Sequence, residues 1–272
     1  VPLRPADLAR RKQAGLPISI LTAWDALSGA VVAEAGVDAV LVGDSLAMVV
    51  LGHATTLPVT LDEMLHHCRA TARGMASVCS PGQEPLLICD LPFLTYQCSG
   101  DEAVAAAGRV LKETPAAAVK LEGAEPETLA VIDRLVRSGI PVMGHVGLTP
   151  QAVHRSGYRR QASDAAGRQR LERQAQVLEQ AGCFALVVEH VPAEVAAGLC
   201  TTLAIPVIGI GAGEACDGQV RVTADLLGLT SRQPPFSPPL LQGRALAVEA
   251  LRRWLGSQSH PTRPTAPAAP HC

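Results

Sequence analysis

Residues 118–123 read Ala118-Val119-Lys120-Leu121-Glu122-Gly123. Val119 and Leu121 give the run the apolar character of a short buried strand. On an extended chain Lys120 and Glu122, two residues apart, project to the same side. Burying a lysine and a carboxylate on one face costs free energy unless each is paired or used. Taken alone, the pair reads as a structural ion pair, a strand end reaching solvent, or part of a site.

The same unit recurs on both sides. Apolar runs lie at 17–22, 39–44, 85–90, 119–122, 141–145, 184–189 and 206–210, with 220–226 as the candidate eighth strand. Helical stretches fall between them at 25–36, from about 60, at 99–113, 126–138, 166–181 and 193–203. Thr60 and Glu63 have capping-box spacing, and Gly36, Gly139 and Gly182 stand as helix terminators. A short basic helix within residues 1–16 precedes the first strand, and residues 148–165 read as a long polar loop. Strands that are near-continuously apolar belong to parallel sheets covered on both faces. Eight strand–helix units in 272 residues favour a (β/α)8 TIM barrel over an open doubly wound sheet. No GxGxxG follows the first strand. Pro234, Pro235, Pro238 and Pro239 predict an extended linker, and residues 240–255 a last helix packed through Leu240, Leu241, Leu251 and Leu255. Residues 1–255 are thus expected to form one barrel domain, and 256–272, rich in Pro, Ser, Thr and Ala, a disordered tail.

Composition narrows the function classes. Apolar residues make up 48% and aromatics only 3%, which suits parallel strands under alanine-rich helices. A net charge of −2 with no long basic run gives no support for nucleic-acid or membrane-surface binding. No apolar run approaches the roughly 20 residues of a membrane span, and Arg10-Arg11-Lys12 does not open a signal peptide. None of the eight cysteines has a partner at CxxC spacing, which argues for thiols in a reducing cytoplasm over a zinc cluster or redox pair.

Charged residues close five consecutive strands: Asp44, Asp90, Lys120 with Glu122, His145, and Glu189. In a barrel all of these lie at the C-terminal face, where barrel enzymes carry their chemistry. A lone aspartate at a strand end is usually a cap, but five strand ends in a row are poorly explained as caps. Asp44, Asp90 and Glu122 supply oxygen donors and no thiolate, a set that suits Mg²⁺. Such an ion binds the carboxylate and keto oxygens of an α-keto acid and, as a Lewis acid, stabilises its enolate. Glu189 is then the free carboxylate available as base. Lys120 can neutralise substrate charge, and Ser45 can donate from its hydroxyl and backbone N–H. His145 is either a structural buried histidine or a substrate contact. The turn Gly209-Ile210-Gly211-Ala212-Gly213 is either a phosphate cradle or a tight strand-to-helix turn.

Several longer motifs carry a resemblance. Leu41-Val42-Gly43-Asp44-Ser45-Leu46, Asp90-Leu91-Pro92-Phe93, Val119-Lys120-Leu121-Glu122-Gly123, Gly144-His145-Val146-Gly147-Leu148-Thr149-Pro150-Gln151, Glu189-His190-Val191-Pro192 and the run from Ile205 to Gly213 resemble the ketopantoate hydroxymethyltransferase family, in order, over roughly residues 5–230. The resemblance implies transfer of a hydroxymethyl group from 5,10-methylenetetrahydrofolate to 3-methyl-2-oxobutanoate, giving ketopantoate for pantothenate and coenzyme A. It implies a barrel assembled as a homodecamer. It implies Asp44 and Asp90 as Mg²⁺ ligands with Glu122 near the ion, Ser45, Asp90 and Lys120 on the keto acid, and Glu189 as general base, with His145 in the matching strand-five motif. The folate's pterin is expected near the loops of strands six and seven. The chain departs from the family pattern at Trp24, at Ser156-Gly157-Tyr158-Arg159-Arg160-Gln161-Ala162, and from Pro234 onward. The alternatives are a Mg²⁺-dependent lyase or mutase of phosphoenolpyruvate- or oxaloacetate-like acids, whose usual cysteine loop is missing here, and a non-catalytic binding barrel.

Overall fold

A computed structural model describes residues 3–231 and 233–257. Eight parallel strands close into a barrel in sequence order: β1 (Ile18–Thr22), β2 (Ala39–Val42), β3 (Leu86–Asp90), β4 (Ala118–Lys120), β5 (Val142–Gly147), β6 (Ala185–Glu189), β7 (Val207–Ile210) and β8 (Gly218–Arg221). β8 pairs back onto β1. The helix α1 (Pro5–Gln13) comes first and buries Leu8 completely against the barrel interior residues. The outer layer is α2 (Ala26–Glu34), α4 (Leu61–Val78), α5 (Gly100–Glu113), α6 (Pro126–Arg137), α8 (Ala165–Gln180) and α9 (Ala193–Thr202). Short helices α3 (Leu46–Val49), α7 (Val153–Ser156) and α10 (Thr223–Leu226) lie in loops, and α11 (Gly243–Ser257) ends the described chain.

The capping box before α4 forms as its spacing predicts. The Glu63 N–H donates to Thr60 Oγ1, and the Thr60 N–H donates to the Glu63 carboxylate at 2.8 Å. α2 and α4 meet backbone to backbone. A Cβ added at Gly29 would come within 2.5 Å of the Thr71 carbonyl oxygen, and one at Gly74 would collide with the Ala26 carbonyl. Glycine is the residue that permits such an approach.

Side chains along each strand alternate between two cores. Ile88, Ala118, Met143, Ala185 and Val187 belong to the inner cluster that fills the barrel, while Cys89, Val119, Val142 and Val188 face the helices. The residue two beyond an inner one is again inner. That rule carries Ile88 to Asp90, Ala118 to Lys120 and Glu122, Met143 to His145, and Val187 to Glu189. The charged residues are thus the top layer of the barrel's own filling. Glu122 lies just past β4, but the Gly123 N–H still bonds the His145 carbonyl at 2.9 Å and keeps the run extended.

Four expectations need correction. β8 stops at Arg221, and Thr223–Leu226 turns helical, with the Thr223 N–H on Thr22 Oγ1 at 3.0 Å. Residues 148–165 hold a 3₁₀ turn (Pro150–Ala152) as well as α7. The last helix starts at Gly243 and runs through Ser257, so Gly256 and Ser257 belong to it and not to a tail. Leu240, Leu241, Leu251 and Leu255 are exposed, and no residue of α11 is buried. The remainder of the tail, 258–272, lies outside the described residues. Seven cysteines fall within them, all as free thiols. No helix among the described residues is long and apolar enough to cross a membrane.

Candidate active site

The strand-end residues converge at the C-terminal mouth. Asp90 sits opposite Lys120 in the β3–β4 register. Its Oδ1 lies 3.0 Å from Lys120 Nζ, and its Oδ2 accepts the Asp44 backbone N–H at 2.9 Å. Lys120 Nζ is 3.4 Å from His145 Nδ1. His145 stands between two glutamates: Nδ1 is 3.5 Å from Glu122 Oε1, and Nε2 is 3.2 Å from Glu189 Oε2. Ser45 joins the group from the turn after β2. A Cβ at Gly43 would lie 3.2 Å from Ser45 Oγ and 3.6 Å from Asp90 Oδ2, so hydroxyl and carboxylate border one space. Asp44, Asp90, Lys120, Glu122 and His145 are all buried, Ser45 is half-buried, and the Glu189 side chain keeps 14% exposure.

Burial and crowding set the charges. Burial, then the neighbouring Asp90 and Glu122 carboxylates, push the Asp44 carboxyl well above its usual range. Burial also raises Asp90, against the pull of Lys120. Burial works against a charged Lys120, but Asp90, Glu122 and Asp44 outweigh it and raise the ammonium above its ordinary value. Burial works against Glu122 too, yet the His145 hydrogen bond and charge hold its carboxyl below the usual range. His145 is opposed by burial and by Lys120, and its glutamate partners still raise it to about 9, which makes it an imidazolium at neutral pH. Formally, four carboxylates face two cations, leaving the cluster two negative charges in excess.

Two further residues complete the site, and neither stood out as a candidate. Gln151, in the turn after β5, donates from Nε2 to Asp44 Oδ2 at 2.9 Å and to the Leu91 carbonyl at 3.0 Å, and from its backbone N–H to Glu122 Oε2 at 2.9 Å. Tyr96 is almost fully buried, donates to Gln151 Oε1 at 2.7 Å and accepts the Glu122 N–H at 3.1 Å. Gln151 closes the motif that begins at Gly144, but an isolated glutamine in a polar loop carries no signal of burial. Tyr158, from the divergent 156–162 segment, is exposed, with its hydroxyl 3.7 Å from Met48 Sδ, and it feels the cluster's charges. Burial and then the Asp44, Glu189 and Glu122 charges raise its phenol.

The donors fit a divalent cation in chemistry and in charge, though their present partners are internal. Among the described residues no three His, Cys, Asp or Glu side chains are gathered as a ready-made metal site. Gln151 holds one oxygen each of Asp44 and Glu122, and the Asp44 N–H holds Asp90 Oδ2. Asp90 Oδ1 and His145 Nε2 are buried and face only their ion partners, Lys120 Nζ at 3.0 Å and Glu189 Oε2 at 3.2 Å. The glycine turn after β7 offers no phosphate cradle. A Cβ at Gly211 would meet the Phe236 ring at 2.6 Å, and Gly213 is closed off by the Ala193 side chain. Phe236 also packs against His190, the rings tilted and their centroids 4.9 Å apart, which covers the loops after β6 and β7.

Comparison with known proteins agrees with this architecture. The family described as ketopantoate hydroxymethyltransferase matches residues 3–265. A 3-methyl-2-oxobutanoate hydroxymethyltransferase of Parasynechococcus marenigrum (strain WH8102) is 69% identical, covering 98% of this chain and 99% of that one. One from Synechococcus sp. (strain CC9605) is 67% identical over 97% of this chain and 96% of that one. Among solved structures, phosphoenolpyruvate phosphomutase from Streptomyces platensis subsp. rosaceus superposes with a TM-score of 0.62 at 14% identity, over 94% of this chain and 87% of that one. That likeness is one of fold alone. A barrel whose inner columns end in Asp90, Lys120, Glu122, His145 and Glu189, matched over nearly its whole length at such identity, belongs to the ketopantoate hydroxymethyltransferase family.

Proposed function

We propose that the chain transfers a hydroxymethyl group from 5,10-methylenetetrahydrofolate to 3-methyl-2-oxobutanoate, giving 2-dehydropantoate (ketopantoate) for pantothenate and coenzyme A synthesis in the cytoplasm. The observation that carries this reading is the inner top layer of the barrel. With Asp44 from the turn after β2 it sets a lysine, an imidazolium and four carboxylates around one space, with the most open carboxylate, Glu189, at its edge. Asp44, Asp90 and Glu122 would hold one Mg²⁺ per subunit, and the crowding of their carboxyl groups with an excess of negative charge supports this. When bound, the ion supplies Lewis-acid stabilisation of charge on the keto oxygen.

The chain's own residues do the rest. The Lys120 ammonium and the Ser45 hydroxyl bind and orient the keto acid beside Asp90. Glu189 accepts the proton from C3 of the substrate, and the C–H electron pair becomes the new bond to the donor's methylene carbon. Both C–N bonds of that methylene break, water supplies the hydroxyl group, and water's second proton together with the one taken by Glu189 go to the two nitrogens of the departing tetrahydrofolate. His145, protonated between Glu122 and Glu189, keeps the base aimed and offers positive charge to the substrate. The lyase or mutase alternative shares the carboxylate-bound ion and the enolate but lacks its usual cysteine loop in this sequence, and the likeness to a phosphomutase at 14% identity is one of fold alone.

Purified protein should form ketopantoate from the two substrates only with a divalent cation, and turnover that survives exhaustive chelation would sink the metal role. Asp44→Ala and Asp90→Ala should each weaken Mg²⁺ binding at least about tenfold by calorimetry. Unchanged affinity in both removes them as ligands.

We further propose a homodecamer. α11 presents Leu246, Val248, Leu251, Trp254 and Leu255 to the exterior with nothing of it buried, and an apolar helix face of that kind calls for a protein partner. A second copy supplies one without any other component. Light scattering should give a mass near ten chains, and a monomer at micromolar concentration refutes the assembly.

A further inference from the structure

A cavity of about 710 Å³ opens beside the acid cluster, between the loops after β3, β4 and β5 and the start of α8. Its inner end is formed by Glu122 and Gln151, both hydrogen-bonded within the cluster. Phe93 and Tyr96 give it aromatic wall, and Arg155 and Arg170 stand exposed at its outer end. A five-carbon keto acid is far too small for this space, since cavities of roughly 300–1,000 Å³ hold ligands of drug size. Its polarity is graded, from hydrogen-bonding groups inside, past aromatic rings, to cations outside. Arg155 is paired with Glu125 at 3.1 Å, whereas Arg170 makes no ion pair among the described residues. By contrast, the loops after β6 and β7, where the pterin was expected, are covered by Phe236 and Ala193.

The geometry points to this cavity as the subsite of the hydroxymethyl donor, a long molecule with a flat heteroaromatic head and a carboxylate tail. The head lies inward against Phe93 and Tyr96, and the tail's carboxylates meet Arg170 and Arg155. The assignment rests on the transferase reading given above, because only a two-substrate reaction demands a second and larger ligand beside the keto acid. It gives the 148–162 loop a role as well. Gln151 joins the cavity to Asp44 and Glu122, so the donor's inner end borders the groups that would hold the metal ion beside the first substrate.

The test uses tetrahydrofolate, which carries the tail, and 6-methyltetrahydropterin, which lacks it, as probes in calorimetric titrations of the full-length protein. Arg170→Glu and the double variant Arg155→Ala/Arg170→Ala change exposed side chains and leave the core untouched. Both should raise the Kd for tetrahydrofolate, and the KM for methylenetetrahydrofolate, about tenfold or more. Affinity for the tail-less pterin and the keto acid's KM should stay at wild-type values. Tetrahydrofolate affinity unchanged in both variants, or an equal loss for the two probes, overturns the assignment while turnover by the wild type stands. Failure of the wild type to form ketopantoate at all overturns the reaction itself and is read in a separate assay.

Discussion

Glu189→Gln should lower turnover by about 10³-fold and abolish exchange of the substrate's C3 proton with deuterated solvent, while the keto acid and Mg²⁺ still bind. The amide keeps the shape of the carboxylate and loses its capacity to accept a proton. Among the cluster's glutamates, the Glu122 side chain is 4% exposed and bound to His145 and Gln151, whereas Glu189 keeps 14% exposure. It is therefore the acid that a substrate can reach. Its placement depends on β5 as well as β6. Gly147 has φ +92°, and a Cβ there would run into the Glu189 carbonyl, so a side chain at 147 would push the base off its station. Proton exchange in Glu189→Gln at the wild-type rate, followed by NMR, would show that another group is the base.

Gly74→Ala should be among the most damaging single substitutions in the outer layer. The added methyl would collide with the backbone of Ala26 on α2, including its carbonyl oxygen. A side chain can turn aside, but a helix backbone cannot without moving the whole element. Overpacking costs about 1–3 kcal/mol in ordinary cores and more where nothing yields. A loss of at least about 3 kcal/mol, and a melting temperature lower by roughly 6–12 °C, is the expected result. Gly108→Ala on α5 is the control, because a Cβ there meets nothing within 4 Å and alanine is the better helix former by about 1 kcal/mol. If the two variants melt within a degree of each other, α2 and α4 do not touch as described.

The barrel was legible because seven of its strands are apolar runs, and the carboxylates, lysine and histidine because each ends such a run. β8 was the exception. Gly218-Gln219-Val220-Arg221 alternates between buried and half-buried positions, so its signal is weaker and its end was placed too late, inside α10. The site's hydrogen-bond hub was hidden for a different reason. Gln151 lies in a loop whose arginines, glutamines and serines predict solvent, and only the folded chain brings its amide over Asp44 and Glu122. Tyr96 gave no pattern either, since its burial depends on a partner 55 positions away. The last helix was read as a packing element from its leucines, which identify an apolar face without saying what covers it.

The alternation that fills the barrel also imposes a parity on the chemistry. From Ile88 to Asp90, Ala118 to Glu122, Met143 to His145 and Val187 to Glu189, each group on β3 to β6 stands an even number of residues from a barrel-filling one, whereas Asp44 enters from the turn after β2. A conservative exchange at Cys89 or Val188 preserves that count. Loss or gain of one residue inside the same strands reverses it and turns a lysine or a carboxylate outward against the helices. The reading frame of structure is thus tighter here than the identity of the neighbouring side chains. Only residues 156–160, beyond Gln151 and its bonds to Asp44 and Glu122, are under no such count, which leaves them as a segment whose length as well as sequence can change while the acid layer stays in place.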